Sequence, residues 1–309
     1  MSHEIDRTMA DARARGVILP PTFHQRVDEA RAAAEGRADG FRPLVGLWNS
    51  SGSSVAGEIL ASSGADFLII DGEHGPMELD GILRVLQATA AYPATPLVRV
   101  PWNDTVRIKQ VLDIGAQNLI IPKVGTGEQA RAAVDAARYP GEKGGRYGAR
   151  GIGAALARSS RWGQVPEYVH QADQHVNVIV QIESSAGVEN ARDIAGTDGV
   201  SGIFIGPADL AGSMGYPNNP GAPEVVEAVE QVIGIAQEAG VPVGINAFAP
   251  AVADRWRDHD VDFVVVSADV TLMVQGAIAA VDRHRRWSKG HPGEPLEHAP
   301  GSPDTPAAY

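Results

Sequence analysis

The chain has 309 residues, 44% of them hydrophobic, which is enough for one large α/β domain or two ordinary ones. Its formal net charge of −12 and pI near 5.2 argue against nonspecific attraction to nucleic acid or to an anionic membrane. There is no cysteine to build disulfides, zinc–thiolate sites or thiol nucleophiles, no uninterrupted apolar run of membrane-spanning length, and no apolar signal core near Met1, so a cytoplasmic protein is expected.

Residues 1–40 are polar and rich in Ala and Arg, and are expected to form a helical extension ahead of the main body. Pro20, Pro21 and Thr22 lead into a helix over 23–35 that Gly36 stops, with a charged face read as solvated. A regular alternation follows. Strands are predicted over 43–48, 66–71, 96–100, 118–121, 177–182, 200–205, 241–245 and 262–266. Helices are predicted over 53–63, 78–91, 104–114, 126–138, 166–172, 185–194, 223–239, 250–258 and 270–286. A Gly- and Arg-rich loop interrupts the series at 140–163, and the Pro- and Gly-rich stretch 288–309 is expected to be a disordered tail. Eight apolar strands alternating with helices, with no Gly-rich nucleotide fingerprint, favour a (β/α)8 TIM barrel over 41–287 rather than a doubly wound sheet.

Barrel enzymes set their chemistry at the C-terminal ends of the strands. The run Phe67–Ile70 is followed at once by Asp71, Glu73 and His74, then by Gly75-Pro76, which stops the strand. Taken alone this could be a capped turn with an exposed imidazole, but the other strand ends repeat the pattern. They carry Trp48 with Asn49, Arg99 with Trp102, Lys123, Gln181 with Glu183, Asp209, Asn246, and Ser267 with Asp269.

Glu183 and Asp209 are the natural metal pair, two carboxylates on neighbouring strands suited to a hard cation such as Mg2+ or Mn2+. Glu183 could instead pair with an arginine, and Asp209 could cap a short helix begun by Leu210. Arg99 can clamp a carboxylate or stabilise an enolate oxygen, or form a structural pair with Asp71 or Glu73. His74 is a general-base candidate that Asp113 could orient, and Lys123 stands where a Schiff-base lysine would.

Five stretches together resemble the 4-hydroxy-2-oxoheptanedioate aldolases, the class II, metal-dependent pyruvate aldolases of the HpcH/HpaI type. They are Asp71-Gly-Glu-His74-Gly-Pro, Val98-Arg99-Val-Pro-Trp102-Asn-Asp104, Gly151-Ile-Gly-Ala-Ala-Leu-Ala-Arg158-Ser-Ser-Arg-Trp162, Val180-Gln-Ile-Glu183 and Gly202-Ile-Phe-Ile-Gly206-Pro-Ala-Asp209-Leu, in matching order. The resemblance implies a barrel, usually hexameric with its last helix exchanged between partners. It also implies reversible cleavage of 4-hydroxy-2-oxo acids to pyruvate, or a related 2-oxo acid, and an aldehyde. Carried over, Glu183 and Asp209 hold a divalent cation (Mg2+, Mn2+ or Co2+), Arg99 meets the keto or enolate oxygen, and His74 paired with Asp113 is the acid–base group. Backbone amides around Gly206, Pro207, Ala208 and Asp209 hold the pyruvate carboxylate, and Trp48 walls the pocket. Arg146 or Arg150 supplies a substrate arginine, with Arg150 preferred.

Three features depart from the resemblance: the loop over 141–151 is longer than the family's usual turn, and two positions differ. Asn246 replaces an aliphatic residue near the aldehyde and implies a more polar pocket, or merely satisfies a local backbone group. Lys123 replaces an apolar one. The rival readings are a Lys123 Schiff-base aldolase, an acyl-CoA lyase of the citrate-lyase type, and a non-catalytic keto-acid sensor.

Overall fold

Eight short apolar runs, each followed by a helical stretch, pair in chain order and close on themselves. All strands are parallel, each bonds its sequence neighbour, and the last returns to the first. The structure, a computed structural model, describes residues 17–35, 41–141 and 148–287; Arg146 and the expected tail at 288–309 lie outside the described residues.

The first helix, α1, is Phe23–Ala34. The barrel then runs β1 Leu44–Asn49, α2 Ser54–Ala61, β2 Phe67–Asp71, α3 Leu79–Ala88, β3 Thr95–Arg99, α4 Thr105–Asp113, β4 Asn118–Ile121 and α5 Gly127–Ala137. It continues through α6 Tyr168–Gln171, β5 Asn177–Ile182, α7 Ser185–Glu189, α8 Ala191–Ala195, β6 Val200–Ile205, α9 Pro207–Ser213, α10 Pro223–Glu238, β7 Val243–Asn246, α11 Pro250–Arg257, β8 Phe263–Ala268 and α12 Asp269–Trp287. Ser and Thr hydroxyls or Asp carboxylates cap four of the helices that follow strands, with Ser53, Asp104, Thr126 and Ser184 each accepting a first-turn N–H. The helix expected over 185–194 breaks at Asn190, whose amide donates to the carbonyls of Gly125 and Ala186. No helix among the described residues is long and apolar enough to cross a membrane.

Two apolar layers hold the barrel together. Outward-facing strand residues meet the helices in a large cluster around Leu68, Val98, Leu119, Val180 and Ile205. Inward-facing residues fill the interior: Phe67, Ile69, Leu97, Ile120, Ile179, Phe204, Phe263 and Val265, all at most 1% exposed. Room for the rings comes from glycine. A Cβ on Gly46 or Gly244 would stand 2.2 Å from the ring of Phe67 or Phe263 respectively.

Helix α1, expected as a helix of the N-terminal extension that enters the body and keeps a solvated charged face, packs against the barrel floor. Phe23 packs edge-on against Phe67 and Phe263 at the floor, with centroids 5.1 and 5.0 Å away. The Phe23 and His24 amides donate to the side chains of Asn118 and Asn177, the first residues of β4 and β5. The plug is thus held by both ring packing and backbone hydrogen bonds, while its charged side still faces water.

At the other end, Asp269 locks the seam between the first and last strands. Its buried carboxylate accepts from Asn49 Nδ2 (2.9 Å), from the Ser50 and Ser51 amides, and from Ser51 Oγ (2.5 Å). The chain divides after Asp269 into two units. In the second, Leu272, Met273, Val274, Ile278 and Val281 of α12 are exposed.

Candidate active site

Two charged clusters form where the strands end. The first is built on Asp71, the last residue of β2 and 3% exposed. Its Oδ1 accepts the amides of Glu73 and His74, each at 3.1 Å, which folds the chain back over the strand end. Arg99 ends β3 in register with Asp71. It donates to Asp71 through Nε (3.0 Å) and Nη2 (2.8 Å). Its Nη1 lies 2.9 Å from Glu73 Oε2, a close ion pair lacking the alignment of a hydrogen bond. The structural reading of Arg99 is the one its contacts show: it is paired with Asp71 and Glu73 at the mouth.

Trp48 lies against Arg99, its ring centroid 4.3 Å from the guanidinium carbon, and its indole N–H donates to Asn246 Oδ1 at 2.8 Å. Asn246, expected to polarise an aldehyde pocket, is engaged in orienting that indole. His74 is largely exposed, with Nε2 4.0 Å from Glu73 Oε1. Burial pushes the Glu73 carboxyl above its ordinary pKa, against the opposing pull of Arg99 and His74.

The second cluster is built on Glu183, directly after β5 and 2% exposed. Its Oε2 accepts from Gln181 Nε2 (2.6 Å) and its Oε1 from the Lys123 amide (2.9 Å). Burial pushes its carboxyl up to about 7, with the Lys123 charge and amide opposing. Gly206 makes the close packing possible, since a Cβ there would stand 2.7 Å from Glu183 Oε2 and 2.8 Å from Gln181 Nε2.

Asp209 does not cap a helix at Leu210. Helix α9 begins at Pro207 with Gly206 as its N-cap, so Asp209 lies inside the first turn. Of the amides expected to meet a carboxylate, that of Gly206 is spent on the Ile182 carbonyl and Pro207 has none. Those of Ala208 and Asp209 remain, ahead of the first intrahelical bond from Leu210 to Gly206.

Lys123 joins the two carboxylates. Its Nζ is 2.5 Å from Asp209 Oδ1 and 3.8 Å from Glu183 Oε1. Its backbone is left-handed, with φ of 57°, a strained state for a side-chain-bearing residue. Partial burial pulls its pKa down, but the hydrogen bond to Asp209 and the charges of Glu183, Asp209 and Glu73 outweigh this and leave it raised. A Schiff-base lysine needs the opposite shift. The two clusters share one mouth, since the charge of Glu73 acts on Glu183 and that of Lys123 acts on Glu73.

Asp113 and Arg150 lie elsewhere. Helix α4 starts at the mouth and runs back along the barrel, so Asp113 at its end sits at the floor, about 13 Å further down at 1.5 Å per residue. There it bonds Arg150 Nη2 at 2.9 Å, and no bond to His74 forms within the chain. Arg150 is fully buried, stacks 4.4 Å from the Tyr139 ring centroid, and among the described residues leaves Nε and Nη1 without hydrogen-bond partners. The sequence held this signal, because a helix following a barrel strand always carries its last residue away from the mouth.

Among the described residues no group of three or more His, Asp and Glu side chains gathers to hold a metal. The pair Glu183 and Asp209 nevertheless fits a hard divalent cation, which needs only one or two carboxylates beside water and substrate oxygens. The Lys123 ammonium marks the point on which the two carboxylates converge.

The fold and these clusters define a (β/α)8-barrel enzyme with paired carboxylates and a buried arginine at its mouth. The HpcH/HpaI aldolase/citrate lyase family matches residues 44–275. A 4-hydroxy-2-oxo-heptane-1,7-dioate aldolase from Klebsiella pneumoniae is 47% identical over 242 residues, which cover 78% of this chain and 89% of that protein. A counterpart from Salmonella dublin is 46% identical over the same length, covering 78% and 90%. Among solved structures, an HpcH/HpaI aldolase/citrate lyase family protein from Burkholderia cenocepacia superposes with a TM-score of 0.76 at 37% identity, covering 82% of this chain and 99% of that one. The chain belongs to the HpcH/HpaI aldolase/citrate lyase family and is a carbon–carbon lyase.

Proposed function

We propose that the enzyme cleaves 4-hydroxy-2-oxo acids reversibly to pyruvate, or a related 2-oxo acid, and an aldehyde, with a divalent cation (Mg2+, Mn2+ or Co2+) held by Glu183 and Asp209. The observation that carries this is the meeting at one mouth of the buried Glu183, joined to Asp209 through Lys123, and the buried Arg99. The name of the Klebsiella relative supports the substrate class.

Breaking the bond beside a ketone leaves negative charge on the keto oxygen, so positive charge must stand ready there. A divalent cation held by Glu183 and Asp209 would supply part of that charge as a Lewis acid. Arg99 supplies the rest, held in place by Asp71 and Glu73 and needing no reorganisation as charge develops. The amides of Ala208 and Asp209 would take the substrate carboxylate. Trp48, fixed by Asn246, walls the pocket beneath Arg99. His74, exposed at the mouth beside Glu73, would move the proton between the 4-hydroxyl and solvent.

Asp113 and Arg150 can join this site only from a second copy of the chain, because their own copy holds them at the floor. We therefore read the enzyme as a homo-oligomer, a hexamer in keeping with the resemblance, in which the floor loop of one copy meets the mouth of another. The exposed Ile152, Leu156 and Trp162 of that loop support this contact. The catalytic domain would span 41–287 together with its α1 plug, in the cytoplasm.

Pyruvate release from racemic 4-hydroxy-2-oxo acids tests the reading. It should vanish with EDTA and in Glu183→Ala, and return to wild type with added Mg2+, Mn2+ or Co2+. An EDTA-resistant enzyme that borohydride traps with pyruvate would replace this mechanism with a Schiff base on Lys123.

A further inference from the structure

Lys123 is the one cation among the described residues that touches both proposed metal ligands, at 2.5 Å from Asp209 and 3.8 Å from Glu183. Its backbone adds a third tie, the N–H donated to Glu183 Oε1 in a left-handed conformation. An ammonium and a divalent cation cannot both occupy the space between the same oxygens, since like charges at contact distance repel strongly away from bulk water. Either the lysine leaves or the metal stays out.

The surroundings give the lysine somewhere to go. Lys123 stands between two recesses of about 520 Å³ each. One contains Glu183 and Asp209. The other is lined by Trp102, Asn103, Glu128 and Gln129, an aromatic face, a carboxylate and two amides able to receive an ammonium. The side chain is 35% exposed and has four rotatable bonds, so it can cross from one recess to the other while the backbone keeps its bond to Glu183.

We infer that Lys123 is a tethered competitor for the metal: it bridges Glu183 and Asp209 when the cation is away, and swings into the Trp102–Glu128 recess when the cation binds. The lysine thereby sets the affinity of the site and keeps two like charges from facing each other unpaired. This inference rests on the proposed metal pair, and the test separates the two.

Mn2+ binding is measured by electron paramagnetic resonance and by calorimetry on the full chain, for wild type, Lys123→Met, Lys123→Arg and Glu183→Gln. Lys123→Met keeps the length and the amide but loses the charge, and should bind Mn2+ about tenfold more tightly or better, as expected when a charged hydrogen bond no longer has to be broken. Lys123→Arg should stay near wild type. Equal or weaker binding by Lys123→Met, with Glu183→Gln impaired, overturns the competitor role and leaves the metal pair standing. Undiminished binding by Glu183→Gln overturns the metal pair, and the competitor role with it. Thermal unfolding in EDTA gives an independent reading: Lys123→Met should melt below wild type there, and the gap should close with saturating Mn2+. A gap of the same size in both conditions overturns the exchange.

Discussion

Arg99 concentrates the residue-scale argument. One guanidinium reaches Asp71 in fork geometry, Glu73 with its remaining arm and the face of Trp48 with its plane. A lysine offers a point charge and cannot make these contacts together. Arg99→Lys should therefore fold yet lose about 100-fold or more in kcat, the scale seen when one preorganised donor is removed from a developing oxyanion. Steady-state pyruvate release measures this. Arg99→Ala should also lose about 3–5 kcal/mol of stability in urea, because Asp71 is left charged and buried without its partner. The sequence disclosed the residues at this scale but not all their partners. The carboxylates, Arg99 and His74 are visible because they follow apolar strands. The grip of Lys123 on Asp209 joins residues 86 apart, and no local pattern encodes such a contact.

Elements were legible where period and length agreed. The strands at 118–121, 177–182 and 200–205 fall where their apolar runs predict, since buried parallel strands are uniformly apolar and sharply bounded. Helix α1 shows where that logic stops. Its buried face is only Phe23 and Val27, one turn apart, and charged neighbours outvote them in any average over the helix. The tertiary context gives those two residues their weight, through the Phe67 and Phe263 rings. Phe23→Ala should cost about 3–5 kcal/mol in urea denaturation, the usual penalty for emptying a buried aromatic site. A loss below 1 kcal/mol would mean that α1 is an appendage after all.

At the scale of the whole molecule, the mouth and the floor divide the proposed site residues between them. His74 belongs to one end, Asp113 and Arg150 to the other. The strand–helix alternation makes this legible, because His74 follows the end of β2 while α4 carries Asp113 back to the floor. If the site is completed between copies, two inactive variants can repair each other. His74→Ala and Asp113→Ala, each nearly inactive alone, should regain activity when co-expressed, since some mixed contacts then pair an intact mouth with an intact floor. Pyruvate release by the purified mixture decides it, and no recovery would confine the chemistry to single chains.

The Asp269 seam bears on how the protein comes to exist. Strand β1 is made before the other barrel strands, and it has β2 on one side and β8 on the other. Its second partner, and the carboxylate that ties Asn49 to Asp269 across 220 positions, emerge from the ribosome only after every other strand of the barrel. Until then the nascent sheet carries two open edges, and a contact of such long sequence separation closes late and slowly. Synthesis of this chain is therefore a race between completing the ring and pairing with a neighbouring nascent chain, and a stop codon placed before residue 269 would leave a ring that cannot be fastened.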